Sequence, residues 1–245
     1  PNEIYNLSGQ SSVSRSFENP LDTFRSIVYG TNNLLCAINK IKAFHSIRFY
    51  NATSSEMFGD TGEKPANENT RFNPKSPYGI AKAAAYWDVK NFREKHNLFC
   101  TNGILFNHES PLRTNQYVTK KIISSVYSIK SGAQKRLILG NIDIKRDWGW
   151  APEFVEAMWL ILQNKNPEDF VIGTGQTNSL RSFCKTAFEN EGLNYKNHII
   201  IDKTMIRPSD IYFSKSFPEK AKSILNWEAK IKMNDLIKKL QYHKK

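Results

Sequence analysis

The stretch Ile47-Arg48-Phe49-Tyr50-Asn51-Ala52-Thr53-Ser54-Ser55-Glu56, followed after a polar loop by Ser76-Pro77-Tyr78-Gly79-Ile80-Ala81-Lys82, decides the fold. Its first part is a short apolar run that reads as a strand, closing in hydroxyls and a carboxylate. Its second part opens a helix that runs to about Lys95, with Tyr78 and Lys82 four residues apart and therefore on one face. A strand that ends in polar side chains and feeds a helix is the repeating unit of a parallel α/β sheet, in which ligands bind at the carboxyl ends of the strands.

Outward from this segment the same alternation continues. Strands are expected at Ile4–Leu7, Ile47–Ala52, Phe99–Phe106, Arg136–Leu139 and Asp169–Ile172. Helices are expected from Pro20 to about Ala43, Tyr78 to Lys95, Val118 to Ser131, Pro152 to Asn164 and Ser179 to Glu191, the last with Ser179 as its cap. Two short amphipathic helices follow between Pro218 and Tyr242. The pattern predicts an α/β fold: a Rossmann-type doubly wound parallel sheet with a smaller mixed α/β domain.

Composition narrows the function classes. At 245 residues the chain can bury a sizeable core, and no apolar run approaches the length of a membrane span. Cys36, Cys100 and Cys184 lie far apart with no C-x-x-C pair, which argues against a metal site or a disulfide framework and fits a reducing cytoplasm. The formal charge of +12 is not concentrated in Lys/Arg blocks interleaved with aromatics, so a solvated surface is favoured over a nucleic-acid face. Part of the excess suits a phosphate-bearing small molecule.

The chemistry concentrates on Ser54, Glu56, Tyr78 and Lys82. An ammonium beside a phenol favours the phenolate, so the pair predicts a Tyr78 that serves as a base. Tyr86/Lys90 and Tyr117/Lys121 share the spacing. The first reads as a packed Tyr with a solvated Lys mid-helix, and the second lacks an acidic cluster upstream. Arg113, Arg146 and Arg207 lie in polar-aromatic loops, where arginine forks suit phosphates. His108 is balanced between a ligand contact and a structural role. Gly173-Thr174-Gly175 lacks a third glycine, so it reads as a turn and not as a dinucleotide loop.

Together these motifs resemble the extended short-chain dehydrogenase/reductases that act on nucleotide sugars, and within them the GDP-mannose 4,6-dehydratase branch. The matching residues are Ile4–Val13, Thr53–Gly59, Ser76–Lys82, Asn102–Pro111, Gly140-Asn141 with Arg146–Gly149, and Arg207-Pro208. The resemblance implies that NADP is the cofactor and a GDP-sugar the substrate. In its terms Tyr78 takes the C4 hydroxyl proton, Lys82 tunes Tyr78 and holds the nicotinamide ribose, Glu56 removes the C5 proton, and Ser54 bonds the C4 oxygen. Leu7, Ser8, Gly9, Gln10, Ser11, His108 and Arg113 map to cofactor contacts. Ser55, Asn107, Lys120, Arg146 and Arg207 map to the substrate.

The family commonly has Thr at position 54, and the Ser present here keeps the hydroxyl. The resemblance also implies a dimer or tetramer. It implies a cofactor domain over 1–107 and 148–175, and a sugar-nucleotide domain over 108–147 and 176–245. The family opens with a Gly-rich phosphate loop that these residues do not contain, so an upstream part of roughly 80 residues is expected. Without that part, weak NADP binding and an inactive chain are expected. An epimerase or reductase of the same superfamily, and a cofactor-free remnant that serves in binding or assembly, remain as alternatives.

Overall fold

The structure, a computed structural model, describes residues 1–205 and 210–242. In chain order its first half comprises β1 (Glu3–Asn6), α1 (Val13–Glu18), α2 (Pro20–Phe24), α3 (Gly30–Ile41), β2 (Arg48–Ser54), α4 (Pro77–His96), β3 (Cys100–Leu105), β4 (Asn107–Glu109) and α5 (Val118–Lys130). There follow β5 (Leu137–Leu139), β6 (Lys145–Arg146), β7 (Trp148–Trp150), α6 (Ala151–Gln163), β8 (Phe170–Ile172), β9 (Asn178–Ser179), α7 (Leu180–Glu189), β10 (Ile199–Ile201), β11 (Phe213–Ser214), α8 (Glu219–Leu225) and α9 (Met233–Tyr242).

The main sheet has the order β1-β2-β3-β8 and every pairing in it is parallel. One face is covered by α3 and α4, the other by α6 and α8. Strands buried on both faces need not alternate polar and apolar residues. Phe49 faces the core with Leu35, Ile38 and Val89, whereas Tyr50 and Ala52 face Phe154, Met158 and Ile161. A second core lies off the sheet, where α5, α7 and α9 pack Ile122, Val126, Phe183, Phe188, Leu236 and Ile237 together with Trp148. Ala221, Trp227 and Ala229, although late in the chain, belong to the sheet-side core with Phe154 and Phe170.

Each predicted long strand and helix is present with ends shifted by a few residues. Ser179 caps α7 by accepting from Ser182 N. The helix expected from Pro20 to Ala43 carries a π-helical turn at Arg25–Tyr29. The loops expected around Asn107–Glu109 and Lys145–Gly149 are instead short strands: β4 pairs with β7 in parallel, and β6 lies between β11 and β9. Two or three residues are too few to show a period, so these strands follow from pairing across the chain and not from local pattern. Among the described residues no helix is long and apolar enough to cross a membrane, and no cluster of His, Cys, Asp or Glu is arranged to hold a metal ion.

Candidate active site

Ser54 ends β2 and Glu56 sits in the single 3-10 turn that follows, with the Ser54 hydroxyl accepting from Glu56 N at 3.3 Å. α4 begins directly against this turn. Ser76 caps it by accepting from Gly79 N at 3.1 Å, and Pro77 supplies a pre-set φ at the first helical position. Gly79 permits the approach, because a Cβ there would lie 2.8 Å from the Glu56 carbonyl oxygen and 3.1 Å from Pro74 Cβ. The helix start therefore delivers Tyr78 and Lys82 to the end of β2.

Tyr78 is buried, and burial pushes its phenol up to about 12. The Ser54 hydroxyl bonds the phenol and pulls the other way, as does the Arg113 charge, whereas Glu56 and Tyr117 raise it further. Lys82 is buried as well, and desolvation lowers its ammonium to about 8. Its ammonium donates to the Ala52 carbonyl at 2.7 Å and stands 5.8 Å from the centre of the Tyr78 ring. The expected lowering of Tyr78 by Lys82 is thus not the outcome here. Burial is the largest influence on the phenol, and one hydrogen bond of the lysine goes to the backbone of β2.

A second wall comes from residues 106 to 119. Glu109 is buried and receives Arg113 through Nε at 2.8 Å and Nη2 at 3.3 Å, with the Thr119 hydroxyl also donating to it at 2.8 Å. Arg113 stacks on the Tyr117 ring at 4.1 Å, and the Tyr117 hydroxyl meets the Ser11 hydroxyl at 2.8 Å. His108 stacks on Phe154 at 4.8 Å, and its Nδ1 lies 2.8 Å from the Phe106 carbonyl. Burial lowers its pKa. Its observed contacts are those of a packed side chain.

Ser54, Glu56, Tyr78 and Lys82 come together, with Arg113, Tyr117 and Ser11 beside them. Ser55 is buried under the same turn. In the loop after β1, Leu7 is exposed, Ser8 bonds Asn6, Gly9 has φ +114° and Gln10 is tied to Ser26 and Thr23. A side chain at Gly9 would meet Ile27 Cγ1 at 2.8 Å. Asn107 opens β4, and the Lys120 ammonium donates to the Pro111 carbonyl at 2.8 Å. Arg146 is buried on β6 and donates to the Lys145 carbonyl. Its neighbour Asp147 accepts from Thr174 N, Thr174 Oγ1 and Gly175 N at 2.6 to 3.0 Å, and from the Ser216 hydroxyl, which makes the Gly173–Gly175 turn a structural one. Arg207 lies outside the described residues. Sequence reasoning missed Tyr117, because its Lys121 pairing carries no meaning: Lys121 bonds the Ile138 carbonyl instead. The usable signal was Arg113, four residues earlier.

Residues 1–240 match the family model described as GDP-mannose 4,6 dehydratase. The chain belongs to this family. GDP-mannose 4,6 dehydratase 1 of Arabidopsis thaliana is 44% identical over 97% of this chain and 66% of its own length. The human GDP-mannose 4,6 dehydratase is 44% identical over 98% of this chain and 69% of its own length. The chain therefore spans about two-thirds of these members of the dehydratase family. Among solved structures, RMD from Pseudomonas aeruginosa complexed with NADPH superposes with TM-score 0.89 at 22% identity, over 99% of this chain and 80% of that one. The dTDP-glucose 4,6-dehydratase of Bacillus anthracis in complex with NAD gives 0.83 at 21% identity, over 99% and 72%. At such identities the two structures establish the Rossmann-type fold that the family shares.

Proposed function

We propose that the chain carries the catalytic centre of a nucleotide-sugar 4,6-dehydratase that turns GDP-mannose into GDP-4-keto-6-deoxymannose. The observation that carries this is the meeting of a carboxylate, Glu56, with the Ser54–Tyr78 hydroxyl pair across one strand end. A dehydratase needs a second base for a carbon-bound proton, which an epimerase does not.

The residues fit a nicotinamide dinucleotide, as the complexes named above also support. Among the described residues the buried Lys82 ammonium has one hydrogen-bond partner, Ala52, so it keeps donors for ribose hydroxyls. The loop Leu7–Ser11 leaves Leu7 exposed and turns sharply at Gly9. Lys82, that loop, His108 and Arg113 would hold NADP, which when bound accepts a hydride from C4 and returns it to C6. Tyr78 receives the C4 hydroxyl proton in its ionised form, with Ser54 bonding the same oxygen. The Ser54 bond and the Arg113 charge favour that phenolate against the burial that opposes it. Glu56 takes the C5 proton and gives it to the departing C6 hydroxyl, which leaves as water. Ser55, Asn107, Lys120, Arg146 and Arg207 hold the GDP-sugar. The two-domain division at 107/108, 147/148 and 175/176, and a homo-oligomer, complete the reading.

Incubation of the natural gene product with GDP-mannose and NADP⁺, followed by mass and NMR analysis of the nucleotide sugar, tests it. A 4-keto product lighter by one water is expected. A C4 epimer of unchanged mass would replace the dehydratase reading by the epimerase, and absence of both product and nucleotide binding would leave a binding or assembly module.

A further inference from the structure

A row of amides crosses the main sheet. Asn6, Asn51 and Asn102 share one register on β1, β2 and β3, and Asp169 directly precedes β8. Asn6 Nδ2 donates to Asn51 Oδ1 at 3.1 Å, Asn51 Nδ2 to Asn102 Oδ1 at 3.1 Å, and Asn102 Nδ2 to Asp169 Oδ1 at 3.1 Å. All four side chains are buried. At one end Asp169 is gripped by the Arg93 fork, with both nitrogen–oxygen distances 2.7 Å. At the other end Asn6 Oδ1 accepts from the Ser8 hydroxyl at 2.6 Å and from Ser8 N at 3.3 Å.

The direction of this row follows from chemistry. An ionised carboxylate and a carbonyl only accept, so Asn102 must turn its NH2 toward Asp169 and the Tyr86 carbonyl, which it meets at 3.3 Å, and its oxygen toward Asn51. Asn51 must then donate to that oxygen, which leaves its own oxygen for Asn6 Nδ2. Asn6 then presents its oxygen to Ser8, a sense reinforced by Thr31, whose hydroxyl donates to the Ile27 carbonyl at 2.7 Å and accepts from Asn6 Nδ2 at 3.0 Å. Buried amides in series reinforce one another's polarity, and reversal would set donor against donor at Ser8. The row spans four strands, about 14 Å at the usual strand spacing.

We propose that Asp169 is a positioning residue for the loop Leu7–Ser12, acting through the one-way chain Asn102–Asn51–Asn6, and so for the dinucleotide that this loop would hold. The second clause rests on the cofactor reading above; the first does not.

Hydrogen exchange over residues 6–12 of the ligand-free chain, and NADP⁺ affinity by titration, test the two separately. Three variants are compared: Asp169→Ala, which removes the anion; Asp169→Asn, which keeps an oxygen toward Asn102; and Asn51→Ala, which cuts the chain with the Arg93 ion pair intact. Faster exchange confined to residues 6–12, by about fivefold as for one lost hydrogen bond, is expected for both alanine variants. Asp169→Asn should stay near the parent. NADP⁺ affinity should fall by a similar factor while GDP affinity holds. Should Asp169→Ala not fold around the unpaired Arg93, Asn51→Ala carries the test alone. Unchanged exchange in this loop with Asn51→Ala, or equal loosening throughout the sheet, overturns the proposal. Loosening without loss of NADP⁺ affinity sustains the chain of amides and overturns the cofactor role of the loop.

Discussion

Lys82 stands 5.8 Å from the centre of the Tyr78 ring, yet its hydrogen bond goes to the Ala52 carbonyl at 2.7 Å. The lysine thereby carries a desolvation cost that a carbonyl dipole offsets only in part. Its pKa falls from 10.5 to about 8, so between those values the unfolded chain binds more protons than the folded one. Stability attributable to Lys82 must then rise with pH from about 8 to 10.5, by about 3 kcal/mol at most. Cys100, Cys184 and Tyr78, each pushed up to about 12, work in the opposite sense at the alkaline end. Subtracting the stability curve of Lys82→Met cancels them. The difference curve, from urea unfolding at a series of pH values, should close as pH rises; a flat difference would refute a depressed Lys82.

Glu56 divides the two halves of the proposed reaction. Glu56→Gln keeps the shape of the turn after β2 and the bond from the Glu56 backbone N to the Ser54 hydroxyl, but removes the proposed base for C5. Turnover should fall by roughly 10²–10⁴-fold, the usual worth of a positioned general base. Exchange of the C5 hydrogen with deuterated solvent should vanish with it, whereas oxidation at C4, read as near-ultraviolet absorbance of reduced cofactor, should persist. Retained solvent exchange at C5 would assign the base to another residue.

What the sequence made legible is what a contiguous segment encodes. The strand Arg48–Ser54, the helix Pro77–His96 and the set Ser54, Glu56, Tyr78 and Lys82 were readable because motif and period lie within neighbouring residues. The second wall was not. Glu109 and Thr119 fix Arg113, and Arg113 with Tyr117 reaches Tyr78 only once β3 and α4 are side by side. The asparagine row was equally hidden, because three polar residues inside buried strands look like faults until their register is known. The phenol's upward pKa also escaped, since burial is a property of the packed molecule and the Tyr-x-x-x-Lys spacing says nothing of it.

Tyr50 is the opposite case, a polar group set in an apolar core. It is fully buried between β2 and α6, and among the described residues its hydroxyl has no hydrogen-bond partner. Gly103 on the adjacent strand makes room for it, since a Cβ there would lie 2.0 Å from the hydroxyl oxygen. A buried unsatisfied hydroxyl costs about 1–3 kcal/mol. Tyr50→Phe should therefore raise the thermal midpoint, by about 2–4 °C per kcal/mol recovered for a chain of this size. Calorimetry decides it: a lower midpoint would mean that the hydroxyl is bonded after all.

Gly79 tests the packing that assembles the site. In an open helix Gly→Ala stabilises by up to about 1 kcal/mol. Here the new methyl would press on the Glu56 carbonyl at 2.8 Å, a backbone atom that cannot swing aside, and on Pro74 at 3.1 Å. Relief requires α4 to withdraw from the turn that holds Glu56, which carries Tyr78 and Lys82 away from Ser54. Overpacking of this kind costs about 1–3 kcal/mol, enough to reverse the helix-propensity gain. Gly79→Ala should lower the thermal midpoint and should reduce kcat more than it raises the KM for the sugar nucleotide, because it shifts the reacting groups and leaves Asn107, Lys120 and Arg146 in place. A midpoint above the parent's with unchanged kcat would show that the helix start and the Glu56 turn are not held in this close approach.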